Sequence, residues 1–242
     1  MHFGENNTWI NINSDLISEY SSIYDTYDID DEMIEYALDK NERAHMEYNR
    51  RTKTLVVIYN VLNLSREENH YDTIPLTFIV RQNQIVTISN GLNEYIIDQI
   101  REELEENMHW SVFNFLLHSL FAISENYFPV IEKLNKEQQK ISKLLRKKTT
   151  KDNLFRLSDL EIEGMYLVSA TKQNAVVLEQ LKTQQAFKEL DDSEREQLED
   201  NIIEANQLVE MTDLHLQILH QIANTYNNVL NNNLNDTMKF LT

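Results

Sequence analysis

The stretch that decides the fold is Ser193 to Thr242, SEREQLEDNIIEANQLVEMTDLHLQILHQIANTYNNVLNNNLNDTMKFLT. Leu198, Ile202, Ala205, Val209, Thr212, Leu216, Leu219, Ala223, Tyr226 and Leu230 recur in alternating steps of four and three, the spacing of a heptad seam on one very long helix. A second stripe, Ile203, Met211, Ile218, Ile222 and Val229, runs beside it and widens the apolar arc beyond one seam. From Leu230 the steps become four and four, to Leu234 and Met238, a stutter that locally unwinds a supercoil. No Gly or Pro follows Gly164, so the run reaches Thr242 without the usual punctuation of a helix end. At about 1.5 Å per residue such a helix extends about 75 Å, and most of its length needs partners outside a small globule.

Upstream of this helix lie two more helical segments. His109 to Lys148 places Val112, Leu116, Leu120, Ile123, Tyr127, Ile131, Leu134, Ile141 and Leu145 on one face, with a kink expected at Pro129. Asn153 to Gln185 follows, after a basic connector, Arg146 to Asp152, of the length that joins an antiparallel pair. An intrachain three-helix bundle and a ring of several chains both accommodate the last helix.

The first hundred residues mix both periods. Thr8–Ile12, Ala44–Tyr48, Thr54–Leu62, Leu76–Val80 and Gln84–Ile88 are rich in β-branched and aromatic residues, and Arg81-Gln82-Asn83 reads as a hairpin turn. Ser14-Asp15 is expected to cap a helix through Leu16, Tyr20, Ile23 and Tyr27, and a second short helix is expected from about Asp30 to Asp39. The fold class is α+β: an N-terminal α/β/α mixed-sheet domain (1–108), an antiparallel pair of long helices (109–190) and a stalk helix (191–242).

Composition narrows the function. Forty acidic against 22 basic residues give a formal charge of −18, which repels nucleic acid and favours cations or basic surfaces as partners. Cysteine is absent, so thiol catalysis, disulfides and zinc–thiolate sites are excluded. There is no glycine-rich phosphate loop, no Gly-x-Ser-x-Gly elbow and no His-Glu-x-x-His, and an enzyme is not expected. His215 and His220, five apart, make a poor chelate. The acidic runs Asp28–Glu35, Glu102–Glu106 and Asp191–Asp200 lack EF-hand spacing and read as solvated faces when taken alone. No secretory signal and no span of about 20 apolar residues occurs. Asn224, Asn227, Asn228, Asn231, Asn232, Asn233 and Asn235 crowd the last turns, where an amide-lined surface facing water or a hydrated ion would account for them.

Three stretches resemble the CorA family of divalent-cation transport proteins: Thr8–Ile12, Ser124–Leu134 (SENYFPVIEKL) and, most specifically, Asn235–Thr242 (NDTMKFLT). Members of the family carry a similar Asn-x-x-Met-Lys-x-Leu-Thr where the stalk enters the membrane, then continue into two transmembrane helices with Gly-Met-Asn between them, which this sequence lacks. The resemblance implies the regulatory domain of a Mg²⁺ or Co²⁺ channel, or of a zinc-transporting relative, at the cytoplasmic face of the cell membrane, assembled as a homopentamer. It implies regulatory Mg²⁺ between subunits at Glu35, Glu125 and Asp200, with Tyr36 and Asn126 standing where the family has acids. Asn235, Met238 and Leu241 are then expected to line the pore at its inner mouth. Five chains would carry −90, so a bridging cation would replace repulsion with attraction. The alternative from another class is a free-standing acidic coiled-coil protein that oligomerises or scaffolds.

Overall fold

The computed structural model describes residues 1–18, 21–65, 71–184 and 190–241, with side chains in the last helix up to Asn231. Six strands form one mixed sheet in the order β1-β2-β6-β5-β4-β3, where β1 is His2–Phe3, β2 Asn7–Asn13, β3 His45–Asn49, β4 Thr54–Leu62, β5 Thr73–Arg81 and β6 Gln84–Ser89. Among the described strands only β2 and β6 are parallel. Every other neighbouring pair is antiparallel, and β5 and β6 form the expected hairpin with Arg81 opposite Gln84.

Alternation along the strands sends side chains to two different cores. Leu55, Val57, Tyr59 and Val61 of β4 join Phe78, Val80 and Ile85 in the larger one, which continues through the helices. Ile79, Val86, Ile88 and Ile12 face the opposite way, onto α1 (Ser22–Thr26) and α2 (Asp31–Leu38). The larger core is covered by α3 (Glu94–Glu106), α4 (Val112–Glu125), α5 (Tyr127–Lys147) and α6 (Lys151–Thr183), with α7 (Asp192–Leu241) packed on α6, α4 and α5.

Three expectations about elements need correction. The segment after β2 does not form one helix from Ser14: Asn13 caps a single 3-10 turn, Ser14–Leu16, and Ile17 returns to extended backbone. Leu16 is 79% exposed, so it has no core to enter, and α1 begins only after its own cap, Ser21. The second difference lies at Pro129, where the kink is a break between α4 and α5 at Asn126. A proline cannot donate to the carbonyl four residues earlier, here that of Glu125, so the hydrogen-bond ladder is interrupted at this point. The third is the seam of α7, most of which is covered from within the chain: Leu198, Ile202, Ala205, Thr212, Leu219 and Tyr226 are buried on neighbouring helices, Val209, Leu216 and Ala223 are half-buried, and Leu230 is exposed. Gly164 lets α6 approach closely, since a Cβ there would stand 3.2 Å from Leu216 Cδ1.

The sheet and the helices are locked together at Asn60. Strand β3 pairs only as far as His45 opposite Ile58, leaving the Asn60 backbone without a strand partner on that side. The Asn174 side chain takes the strand's place: its Oδ1 accepts from the Asn60 N–H at 2.8 Å and its Nδ2 donates to the Asn60 carbonyl at 2.9 Å. Tyr127 Oη donates to the same carbonyl at 2.8 Å, so α5, α6 and β4 meet at the backbone of one buried residue. On α7, His215 is buried and its Nδ1 donates to Asn135 Oδ1 of α5 at 2.8 Å. Burial holds its pKa down to about 4, from an ordinary 6.5.

Asn174→Leu leaves a buried N–H and carbonyl without their amide partner and is expected to lower the unfolding free energy by about 2–3 kcal/mol in urea titrations. Between pH 6.5 and about 4 the unfolded chain protonates His215 and the folded chain does not. Stability is therefore expected to fall as pH drops through that window, by up to ~3 kcal/mol from this group, and His215→Gln should flatten the urea-midpoint profile there.

Candidate metal-sensing cluster at the root of the last helix

Helix α7 starts with a reciprocal cap that the sequence reading had not singled out. The Glu194 N–H donates to Asp191 Oδ1 at 2.8 Å while the Asp191 N–H donates to Glu194 Oε2 at 3.0 Å. The Ser111 hydroxyl donates to the other oxygen of Glu194 and accepts from the Asn114 N–H, so one serine ties the N-termini of α4 and α7 together. Six residues along α4 the tie repeats, with Asn201 Nδ2 donating to the Leu117 carbonyl at 2.8 Å. The two helices thus run side by side from fixed starts. That alignment sets the C-terminal end of α4 against the third and fourth turns of α7.

Carboxylates gather there. The Glu204 pKa is raised, first by partial burial and then by the negative charges of Glu125 and Asp200. Glu103 of α3 is raised too, mainly by burial, which outweighs the opposing hydrogen bond from Gln99, with smaller contributions from the charges of Glu125 and Glu106. Glu125 is exposed and is the last residue of α4, where the helix dipole already disfavours a negative charge. Four acids from three helices therefore repel one another across a short span of surface. Oxygen donors of this kind suit hard divalent cations. Among the described residues, however, no three His, Asp or Glu side chains converge closely enough to chelate an ion. The set fits an ion that keeps its water shell, or one completed by donors from another chain.

Of the residues expected at this site, Glu125 and Asp200 come together and Glu35 does not. Glu35 is exposed on α2, which packs on the opposite face of the sheet from α4 and α7. Its neighbour Tyr36 is fully engaged: the hydroxyl donates to Glu32 Oε1 at 3.0 Å and Glu47 Oε1 at 3.4 Å, and the ring meets His45 edge-on. The hydrogen bond to Glu32, with added burial and the charge of Glu47, pushes its pKa up to about 12. Asn126 is likewise occupied, donating from Nδ2 to Gln99 Oε1 at 2.8 Å and to the Ala122 carbonyl at 2.7 Å. Asn126 therefore steers the Gln99–Glu103 edge of α3 toward Glu125. Glu103 and Glu204 were not singled out from sequence. The four-residue spacing of Asp200 and Glu204 on one helix face was the available signal, whereas nothing local pointed to Glu103. Asn235, Met238 and Leu241 lie outside the described side chains.

Comparison with known proteins agrees with the fold. The family model described as CorA-like Mg²⁺ transporter protein matches residues 4–242, and the chain belongs to that family. No curated protein sequence matches it. Among solved structures, the complete CorA magnesium transporter of Methanocaldococcus jannaschii superposes with a TM-score of 0.83 at 19% identity, covering 98% of this chain and 74% of that one. Its separately solved soluble domain gives 0.75 at 20% identity, over 89% and 86% of the two chains. The ZntB cytoplasmic domain from Vibrio parahaemolyticus RIMD 2210633 gives 0.72 at 12% identity, over 94% and 89%. At these identities the likeness is one of fold. Among the described residues no helix is long and apolar enough to cross a membrane.

Glu204→Gln removes a charge that its neighbours oppose. In chelator at neutral pH it is expected to raise stability by on the order of 0.5 kcal/mol, a small figure because these charges are solvent-screened. A raised carboxylate pKa favours the folded state at low pH and loses that advantage as pH rises through it, so the gain should vanish below about pH 4. Melting curves of the two proteins at both pH values measure it.

Proposed function

We propose that this chain is the regulatory domain of a CorA-like divalent-cation channel and that it responds to Mg²⁺ through carboxylates shared between neighbouring subunits. The observation that carries this reading is the repelling group Glu103, Glu125, Asp200 and Glu204 at the junction of α4 and α7. One chain supplies the charge but not the chelate. A hydrated cation held between this group and acids on a second chain, such as Glu35 and its neighbours on α2, would offset the repulsion and tie the chains together.

The second apolar stripe of α7 supports assembly. With most of the seam covered inside the chain, Ile203 (63% exposed), Ile218 (38%) and Val229 (42%) of that stripe face outward along the helix, with Leu214 (58%) beside them. A homopentamer in which each last helix packs against its neighbours would cover them. In that assembly Asn235 would offer a ring of amides to a hydrated ion, while Met238 and Leu241 would form an apolar constriction that gates by excluding water. A ligand shifts only the state it binds better. Mg²⁺ would therefore favour the closed, tightly bridged ring, and its loss would let the last helices splay. The free-standing scaffold makes use of the same stripe but gives Mg²⁺ no part.

Added Mg²⁺ is expected to raise both the melting temperature and the oligomer mass of the purified chain, the former by about 1.4 kcal/mol of stability at ten times the dissociation constant. The double variant Glu125→Gln/Asp200→Asn should lose most of that response. A wild-type protein whose melting temperature and sedimentation mass both ignore Mg²⁺ would sink the proposal and leave the scaffold.

A further inference from the structure

The negative charge of this protein is not evenly spread. Residues 143–156, where α5 turns into α6, hold Lys143, Arg146, Lys147, Lys148, Lys151 and Arg156 against one acid, Asp152, in a chain whose formal charge is −18. All six are exposed, and among the described residues none of them makes an ion pair. Helix electrostatics accounts for only part of the set. Arg146 and Lys147 complement the C-terminus of α5, but Lys151 is the first residue of α6, where the dipole disfavours a cation.

One turn beyond Lys151 stands Phe155, 67% exposed, the most exposed aromatic side chain among the described large hydrophobics. It shares a helix face with Lys151, four residues earlier. The tip lies at the end of the helical layer far from the sheet. Glu161 of α6 faces His220 of α7, and Tyr226 Oη donates to the Ser142 carbonyl, so the tip comes level with the turns of α7 beyond Tyr226.

We propose that this α5–α6 tip docks on the anionic surface of a phospholipid bilayer. Headgroup phosphates take the six cations, and the Phe155 ring enters the interfacial layer beside them. Each Lys or Arg of a polybasic cluster is attracted to such a surface, and an aromatic ring adds apolar burial. An anionic bilayer satisfies both features at once. Nucleic acid is repelled by the rest of the chain, and an acidic protein patch leaves the exposed ring without a role. The inference goes beyond the cation-sensing reading and requires no divalent ion, so the two can fail separately.

Co-sedimentation with vesicles in EDTA tests it. The purified chain should bind phosphatidylcholine–phosphatidylglycerol vesicles and not pure phosphatidylcholine, and added salt should weaken binding. Lys147→Glu/Lys148→Glu/Lys151→Glu should reduce affinity at least tenfold. Phe155→Ser should weaken binding while leaving the salt dependence unchanged. Melting curves establish that both variants are folded. Equal binding to the two vesicle types, full binding by the charge-reversed variant, or displacement by inorganic phosphate at constant ionic strength would overturn the proposal. A change in oligomer mass of the charge-reversed variant without vesicles would overturn it as well, by assigning the tip to a second copy of the chain.

Discussion

The peptide of Asn60 is the point on which the architecture turns. A strand that outruns its neighbour leaves a buried N–H and carbonyl, and each costs free energy if it stays unpaired. Here the Asn174 amide copies the hydrogen-bonding pattern of the missing strand, and Tyr127 adds a second donor. The same two side chains fix where α5 and α6 leave the sheet. Because α7 packs along α6 and is tied to α4 at Ser111 and Asn201, its course follows from that anchor. The acidic group at the root of α7 is thus placed by hydrogen bonds that contain no member of it.

This arrangement separates two properties of the last helix. Its seam faces inward and consolidates the chain, while Ile203, Leu214 and Val229 stay open to whatever lies alongside. Electrostatics divides the surface in a similar way. Acids concentrate where α3, α4 and α7 meet, and cations at the α5–α6 tip. A chain that is strongly acidic overall therefore carries one region suited to cations and another suited to anions. These regions stand at opposite ends of the helical layer, which keeps them from neutralising each other within one chain.

Much of the fold was legible because its signals are local. Strand alternation, the Arg81–Gln84 hairpin and the four-three spacing of α7 need only neighbouring residues to be read. The Ser14 segment failed for the opposite reason: its helical spacing was satisfied, yet the packing left Leu16 in solvent. The candidate site was half legible. Glu125 sits in a stretch that resembles a known family and Asp200 follows from what that resemblance implies, whereas Glu103 belongs to an ordinary acidic run on α3 and is recruited only by contact with α4. Tyr36 shows the limit of reasoning by position, since its hydroxyl is already committed to Glu32 and Glu47.

By itself the sequence determined most of the elements and their order, the long helical run at the end and the sign of the charge, all of which follow from composition and from periods of two or 3.6 residues. Only the tertiary structure decided that most of the heptad seam is covered within the chain and that Glu35 lies across the sheet from Glu125. It also decided that Glu103 and Glu204 complete the acidic group. The physical reason is that burial and charge coupling depend on distances through space, which are fixed only when the helices are anchored at Asn60, Ser111 and Asn201.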